Sequence, residues 1–168
     1  LIGWLLQMSG RYVGTATEQG VFLNGRNVAR GPLTEWESGE RLLLNKNVEA
    51  AVFANSSRMI LSEGLSYDKC MVGVVTDAAG HEELDEFYIN TPEQMFGVLR
   101  TQVDVVLPEG AAVLNASDAQ VVEMAELCDG DVIFYGLDEH VPAIDSHRQD
   151  GGRAFAVRVI PGIILVAV

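Results

Sequence analysis

The residues with the most obvious capacity for chemistry form an acidic loop near the middle of the chain. Glu82, Glu83 and Asp85 place carboxylates close together beside His81, and carboxylate oxygens can ligate a hard cation. The calcium-loop pattern with its internal glycine is missing, so a solvated acidic loop is the favoured interpretation. The histidines have no serine or cysteine partner in a nucleophile context. We expect all of them, including His147, at the surface.

Lysine positions bear on whether the chain can hold phosphates. A phosphate-binding loop needs a lysine in a glycine-rich turn between a strand and a helix. Lys46 follows Asn45 and Lys69 follows Asp68, and the sequence contains no Gly-Lys pair. Neither lysine therefore fits such a loop.

Composition excludes several partners and locations. The 168-residue chain has a formal charge of −13, which opposes the phosphate neutralisation on which nucleic-acid binding depends. The apolar segment 1–8 is shorter than the about 20 residues that a membrane helix needs. Cys70 and Cys128 lack metal-ligand spacing, and we expect buried reduced thiols. No secretory segment is evident, so we expect a cytoplasmic protein.

The first half of the chain must position these residues with a mixture of helices and strands. Asn24-Gly25 lies in an alternating stretch and predicts a hairpin over residues 20–28 with a type I′ turn. The continuous apolar runs 50–54 and 70–76 are typical of strands buried on both faces of a parallel sheet, with a helix between them. The other predicted elements are a helix over 1–8, a strand over 11–17 and a helix over 36–47.

The second half repeats a strand and helix rhythm. Thr91-Pro92 predicts the start of a helix that runs to about residue 106 and ends at Pro108-Glu109-Gly110. Alternation of strands and helices predicts an α/β architecture. The later elements are predicted as strands over 111–115 and 131–135, helices over 118–127 and 139–149, and a terminal hairpin of strands 153–159 and 162–168 turned at Pro161-Gly162.

Five phrases then occur in one order. They are VFLNGR, VEAAVF, ILSEGLSYDKC followed by VGVVT, GAAVLNASD, and VIFYGLDEHVPAIDSHRQDGGRAFAVR. Together they resemble the Mur-ligase-like portion of the cyanophycin synthetase family over nearly the whole chain. The resemblance implies an ATP- and magnesium-dependent amide ligase, which phosphorylates a carboxylate and lets an amine attack the acyl phosphate. In that family this portion adds arginine to an aspartate side chain.

The sequence departs from the family at the positions that the resemblance marks as catalytic. The family's phosphate loop stands immediately before the helix with which this chain opens, and nothing here replaces it. Ala54 stands where the family has a magnesium-holding glutamate, and Leu99 stands where it has a lysine. Asp77 and the stretch 82–85 replace an asparagine and an Asp-His-Leu-Gly motif. A shifted alignment would instead make His81 the family histidine.

Asn115 and Asp118 match the family's Asn-Ala-Asp-Asp stretch, in which the asparagine contacts adenine. The resemblance therefore makes both residues candidate nucleotide contacts. Alternatively, Asp118 caps the next helix and Asn115 forms the turn, and this structural interpretation is favoured. No residue is assigned a catalytic or a metal-binding role.

These observations predict a Mur-ligase-like α/β layered sheet, mostly parallel, followed by a second small α/β lid unit. Residues 1–108 are assigned to a central ATPase-like domain without its phosphate loop, and residues 109–168 to the start of the C-terminal lid domain. The chain is expected to be a fragment or a degenerate member of the ligase family, inactive by itself and without bound ATP or magnesium. The alternative is a non-catalytic binding or assembly module.

The partner expected from the sequence is another protein chain. A missing first strand would expose sheet edges or core, and such surfaces favour association. We therefore expect a homo-oligomer or association with another ligase chain. Nucleic acid and membrane are not expected as partners.

Overall fold

The computed structural model describes residues 1–29, 33–138, 140–160 and 163–167, with the strands beyond residue 156 described by their backbone. The chain divides into two compact units, Leu1–Asp68 and Lys69–Val168. Each unit contains its own sheet. The fold is therefore α/β, as the sequence predicts.

The first unit is built on a four-stranded sheet with the order β3-β2-β1-β4. Strand β1 pairs antiparallel with β2 and parallel with β4. The strands are β1 (Val13–Thr17), β2 (Gly20–Leu23), β3 (Arg26–Asn27) and β4 (Ala50–Phe53), and the helices are α1 (Ile2–Met8), α2 (Glu35–Leu43) and α3 (Ser57–Ser62).

Local sequence signals account for much of this unit. Asn24 and Gly25 have φ of 45° and 76°, as a type I′ turn requires at both central positions, so the predicted hairpin is confirmed. Helix α2 begins with a capping box, in which Thr34 and Glu37 exchange hydrogen bonds between side chain and backbone. The hydrophobic core is small and centres on Leu42, which packs with Ala16 and Val21.

The second unit is built on a five-stranded sheet with the order β5-β6-β7-β8-β9. Strands β5 to β8 are parallel, and β9 is antiparallel to β8. The strands are β5 (Cys70–Val75), β6 (Val106–Asn115), β7 (Asp131–Gly136), β8 (Arg153–Ile160) and β9 (Ile163–Ala167), and the helices are α4 (Pro92–Leu99), α5 (Thr101–Asp104), α6 (Ala119–Glu123) and α7 (Pro142–Gln149).

The core of this unit lies on one face of the sheet. Leu114 from β6 packs with Val103, Val121 and Ile144 from the helices, and all of these side chains are fully buried. The other face also carries apolar side chains, but Val72 and Val74 remain 56% and 41% exposed. The helices therefore cover one face of the sheet more completely than the other.

The prediction that strands 50–54 and 70–76 are buried on both faces is wrong. Strands β4 and β5 each lie at the edge of their sheet. Ala51 of β4 and Val72 of β5 are exposed. An apolar run cannot by itself distinguish a central strand from an edge strand, because the difference is made by neighbours distant in sequence.

The helix predicted to run to about residue 106 is also shorter than expected. Helix α4 ends at Leu99, α5 covers Thr101–Asp104, and β6 begins at Val106. Pro108 and Glu109 therefore lie in a strand. The strand passes close to β5 here, because a side chain at Gly110 would collide with the carbonyl oxygen of Met71, and the pairing is irregular between Cys70 and Val72.

The compact units meet between Asp68 and Lys69, whereas the sequence places a domain boundary between residues 108 and 109, inside β6. The assignment of a central domain and a lid domain remains a prediction. Glu139, at the predicted start of a helix, and the predicted turn Pro161-Gly162 lie outside the described residues.

Candidate functional site at the carboxyl ends of the parallel strands

Three neighbouring parallel strands of the second unit, β5, β6 and β7, end side by side. Open α/β sheets bind their ligands outside this carboxyl edge. The candidate residues Asn115 and Asp118 both lie there, at the end of β6 and in the turn after it. Thr76 and Tyr135 come to the same edge from the two flanking strands, so this edge is the candidate site.

Asn115 connects the ends of β5 and β6. Its Nδ2 donates to the carbonyl oxygen of Thr76 over 2.8 Å, and its Oδ1 accepts from the backbone N–H of Ser117 over 3.0 Å. A primary amide has a second N–H and a second lone pair. Asn115 therefore forms the turn, and it keeps capacity for one further donor and one further acceptor contact.

Asp118 is the N-cap of α6. Its Oδ1 accepts from the N–H groups of Gln120 and Val121 over 3.0 and 3.3 Å. Its Oδ2 accepts from the N–H of Ala78, in the loop after β5, over 2.9 Å. A single carboxylate thus satisfies donors from two loops, and this arrangement supports the structural interpretation of Asp118.

Tyr135 adds an aromatic side chain to this edge. It pairs with Asn115 in the sheet register, and paired residues of parallel strands project from the same face. Burial, and then the nearby charge of Asp77, raises the pKa of the Tyr135 phenol. The phenol is therefore neutral at physiological pH and can donate or accept a hydrogen bond.

Tyr135 was not singled out from the sequence. The run VIFYG reads only as a buried strand, and the role of its tyrosine depends on β7 lying beside β6. A correct strand order would have revealed it, because the last residues of adjacent parallel strands meet at one edge.

The acidic loop lies in two short 3-10 turns, His81–Glu83 and Asp85–Phe87. Leu84 between them is buried, whereas Glu82 and Asp85 are exposed. The His81 Nε2 atom lies 3.6 Å from Glu82 Oε1. Across the part of the chain that the structure describes, no group of three or more histidine, cysteine and acidic residues is placed to hold a metal ion.

Two departures from the family can be located. Ala54 follows β4 and donates its N–H to the carbonyl oxygen of Ala16 over 2.9 Å, but its methyl group cannot ligate a cation. Leu99, at the end of α4, is partly buried against the core of the second unit. The apolar side chains at these positions therefore fit packing rather than phosphate or metal binding.

The prediction that His147 lies at the surface is wrong. Its Nε2 atom is 3.1 Å from the carbonyl oxygen of Val132, and its ring packs edge-on against Phe134 with centroids 4.9 Å apart. A side chain at Gly152 would collide with the His147 ring. His147 therefore joins α7 to β7, a structural role that its helical position alone does not reveal.

Within the described residues, the structure has no helix with the length and apolar character needed to cross a membrane. This agrees with the short apolar segment at residues 1–8.

Comparison with known structures defines the class of fold. The chain is similar to UDP-N-acetylmuramoyl-L-alanyl-D-glutamate--2,6-diaminopimelate ligase, with a TM-score of 0.63 over 94% of this chain and 31% of that one, at 13% sequence identity. No family model matches the chain. The fold is that of a Mur ligase.

Comparison of sequences gives the particular relative. Cyanophycin synthetases from a Synechocystis strain and from Crocosphaera subtropica are 34% and 36% identical to the chain, over 92% and 90% of its length. The cyanophycin synthetase of a Nostoc strain is 30% identical over 92%. The chain spans 18%, 17% and 17% of these relatives. It is a homologue of one segment of cyanophycin synthetase.

Proposed function

We propose that this chain keeps the scaffold of an ATP-dependent amide ligase and does not itself catalyse ligation. The homology to cyanophycin synthetase and the Mur-ligase fold support the family. Ligases of this family use ATP and magnesium. The proposal concerns what the described residues of this chain can still do with those ligands.

The observation that carries the proposal is the chemistry at the end of β4. A magnesium ion needs oxygen ligands in near-octahedral geometry, and Ala54 offers only its backbone carbonyl there. The closest carboxylate shown near this strand end, that of Glu35, accepts a hydrogen bond from the N–H of Ser56 over 2.8 Å. Ser56 in turn caps α3. These residues do not fit a magnesium site.

A second line of support comes from the carboxyl edge of the other sheet. Asp77 and Asp118 bring negative charge to the edge where a nucleotide would lie, and no lysine or arginine is among the residues placed there. Negative charges without an intervening cation repel phosphates. Asn115 and Asp118 are also engaged in the turn. Any nucleotide contact by them would depend on the base alone and would be weak.

The alternative function, a non-catalytic assembly module, is favoured by one specific observation. Edge strand β5 carries Met71, Val72 and Val74 with 53%, 56% and 41% of their surfaces exposed. Exposed apolar side chains on an edge strand are typical of surfaces that bind another chain. The two functions are compatible, since a scaffold without catalysis can still assemble.

The experiment is thermal unfolding of the purified chain with and without millimolar ATP and magnesium, together with a measurement of ADP release. A ligand at about 100 times its Kd stabilises the folded state by about 2.7 kcal/mol. We expect no shift in Tm and no ADP above the level without protein. The matched control is the Asn115→Ala variant, which should behave like the parent chain toward ATP.

The opposite result would be decisive. A Tm that rises with ATP in the parent chain and fails to rise in Asn115→Ala would establish a nucleotide site at the carboxyl edge. ADP release by the purified chain would overturn the proposal altogether.

A further inference from the structure

Strand β5 is an edge strand that lacks the usual protection against pairing. Among the described residues it pairs only with β6. Its sequence, CMVGVV, contains no charged residue and no proline. Proteins usually protect exposed sheet edges with charges, prolines or covering segments. The open side of β5 can therefore accept another strand.

The side chains around this edge are apolar on both faces. Val72 and Val74 project from the less covered face of the sheet, and Met71 projects from the other. Parallel sheets are rarely left with an uncovered face. A partner that pairs with β5 would remove these side chains from water, and each square ångström of apolar surface so buried contributes about 25 cal/mol.

Opposite charges flank the strand. Lys69 immediately precedes β5 and Asp77 follows it after Thr76. In an antiparallel pair of two β5 strands centred on Gly73, Lys69 of each copy lies opposite Asp77 of the other. Opposite charges in facing positions stabilise antiparallel pairs, whereas like charges destabilise them. A shift of one residue along the strand would lose both ion pairs.

We propose that β5 is a self-association surface, which pairs antiparallel with β5 of a second copy of this chain about a two-fold axis at Gly73. The occupant is a second copy because the segment from Lys69 to Asp77 is complementary to itself in charge. This surface is independent of nucleotide binding and of the proposed loss of catalysis.

The register sets the contacts across the interface. Val72 lies opposite Val74 of the second copy, and Cys70 lies opposite Thr76. Two-fold symmetry repeats each contact, as in any isologous interface. The two five-stranded sheets join into one continuous sheet whose apolar faces also join.

The first experiment measures the mass of the full chain in solution by light scattering after size-exclusion chromatography. We expect a mass twice that of the 18.2 kDa chain. Val72→Lys should give the monomer mass, because it places a charge on the pairing edge. The matched control is Phe155→Lys, which places the same charge at a 39% exposed position on β8, away from the edge. It should remain dimeric, and circular dichroism should show both variants folded.

The second experiment tests the register by charge exchange. Lys69→Glu and Asp77→Lys should each convert most of the dimer to monomer, and the double variant should restore the dimer. Asp77 also accepts hydrogen bonds from the Thr76 hydroxyl and the Ala79 N–H, so its substitution alone disturbs a turn. Recovery in the double variant separates the ion pairs from that local effect.

The third experiment traps the pairing covalently. Thr76→Cys in a Cys128→Ser background places a thiol opposite Cys70 of the second copy, and oxidation with diamide should give a disulfide-linked dimer on a denaturing gel. Glu126→Cys, at an exposed position of a 3-10 turn, is the control and should stay largely uncrosslinked. A monomeric parent chain would overturn the proposal. So would a dimer that survives Val72→Lys, or one that Thr76→Cys fails to link.

Discussion

The two units of the chain reach stability by different means. Among the described residues, the core cluster of the second unit contains twelve buried side chains, whereas that of the first contains Ala16, Val21 and Leu42. The first unit depends correspondingly more on its type I′ turn and on the capping box of α2. A small core leaves little reserve when one contact is removed, so local devices carry a larger share of the folding energy.

The distribution of tryptophan makes this comparison measurable. Trp4 and Trp36 both belong to the first unit, so tryptophan fluorescence reports on that unit. Far-UV circular dichroism reports on the helices and strands of both units. Each substitution below can therefore be assigned to the unit that it weakens.

The largest effect is expected from Ile144→Ala in the second unit. Ile144 is fully buried between α7 and the sheet, and truncation of such a side chain costs about 2–5 kcal/mol of unfolding free energy. Urea unfolding followed by circular dichroism should show this loss, while the fluorescence transition stays in place. An equal shift of both transitions would show that the two units unfold as one.

The next effect is expected from Leu42→Ala in the first unit. Leu42 is 1% exposed and contacts Ala16 and Val21. We expect a loss of about 2–3 kcal/mol, toward the lower end of such substitutions, because a small core can partly collapse into the space. The fluorescence transition should move to lower urea. If it does not move, Leu42 is not the centre of the first core.

A smaller effect is expected from removal of a helix cap. Thr34→Ala deletes the acceptor for the N–H of Glu37, which lies 3.1 Å from Thr34 Oγ1, and should cost about 1 kcal/mol. The fluorescence transition should report this loss. Thr91→Ala removes the equivalent cap of α4 in the second unit and should leave fluorescence unchanged. Equal effects of both variants on fluorescence would contradict the division into separate units.

The smallest effect concerns pH. Because burial and Asp77 raise the pKa of Tyr135 in the folded chain, the folded state holds this proton more tightly than the unfolded state. The resulting stability is complete below the unfolded pKa of about 10 and is lost as pH rises through the folded pKa. Ultraviolet titration of phenolate should show one late-titrating tyrosine, absent in Tyr135→Phe. Its persistence in that variant would assign the shift elsewhere.

Features set by short-range geometry were predictable from the sequence. Asn24-Gly25 predicts its turn because the type I′ conformation needs positive φ at both positions. Thr91 and Asp118 predict helix starts because their side chains reach N–H groups within the next three residues. These signals depend on neighbours along the chain, and they hold whatever surrounds the segment.

Features set by distant neighbours were not predictable in the same way. The apolar runs in β4 and β5 indicate strands, but only the sheet order shows that both are edges. His147 lies on a helix that looks exposed, and its contact with Phe134 requires β7 beneath it. The candidate site divides similarly: Asn115 and Asp118 follow from sequence, whereas Tyr135 follows from topology. Their predicted nucleotide contacts remain predictions.

Asp118 shows how selection can act on one residue for two reasons. Its carboxylate receives hydrogen bonds from Ala78, Gln120 and Val121, so selection for a folded chain favours it whether or not a nucleotide binds. Relaxed selection on catalysis would release positions such as Ala54 and Leu99 while leaving Asp118 in place. In evolutionary terms, an aspartate in this turn records the ancestry and foldedness of the chain, and it does not record its activity.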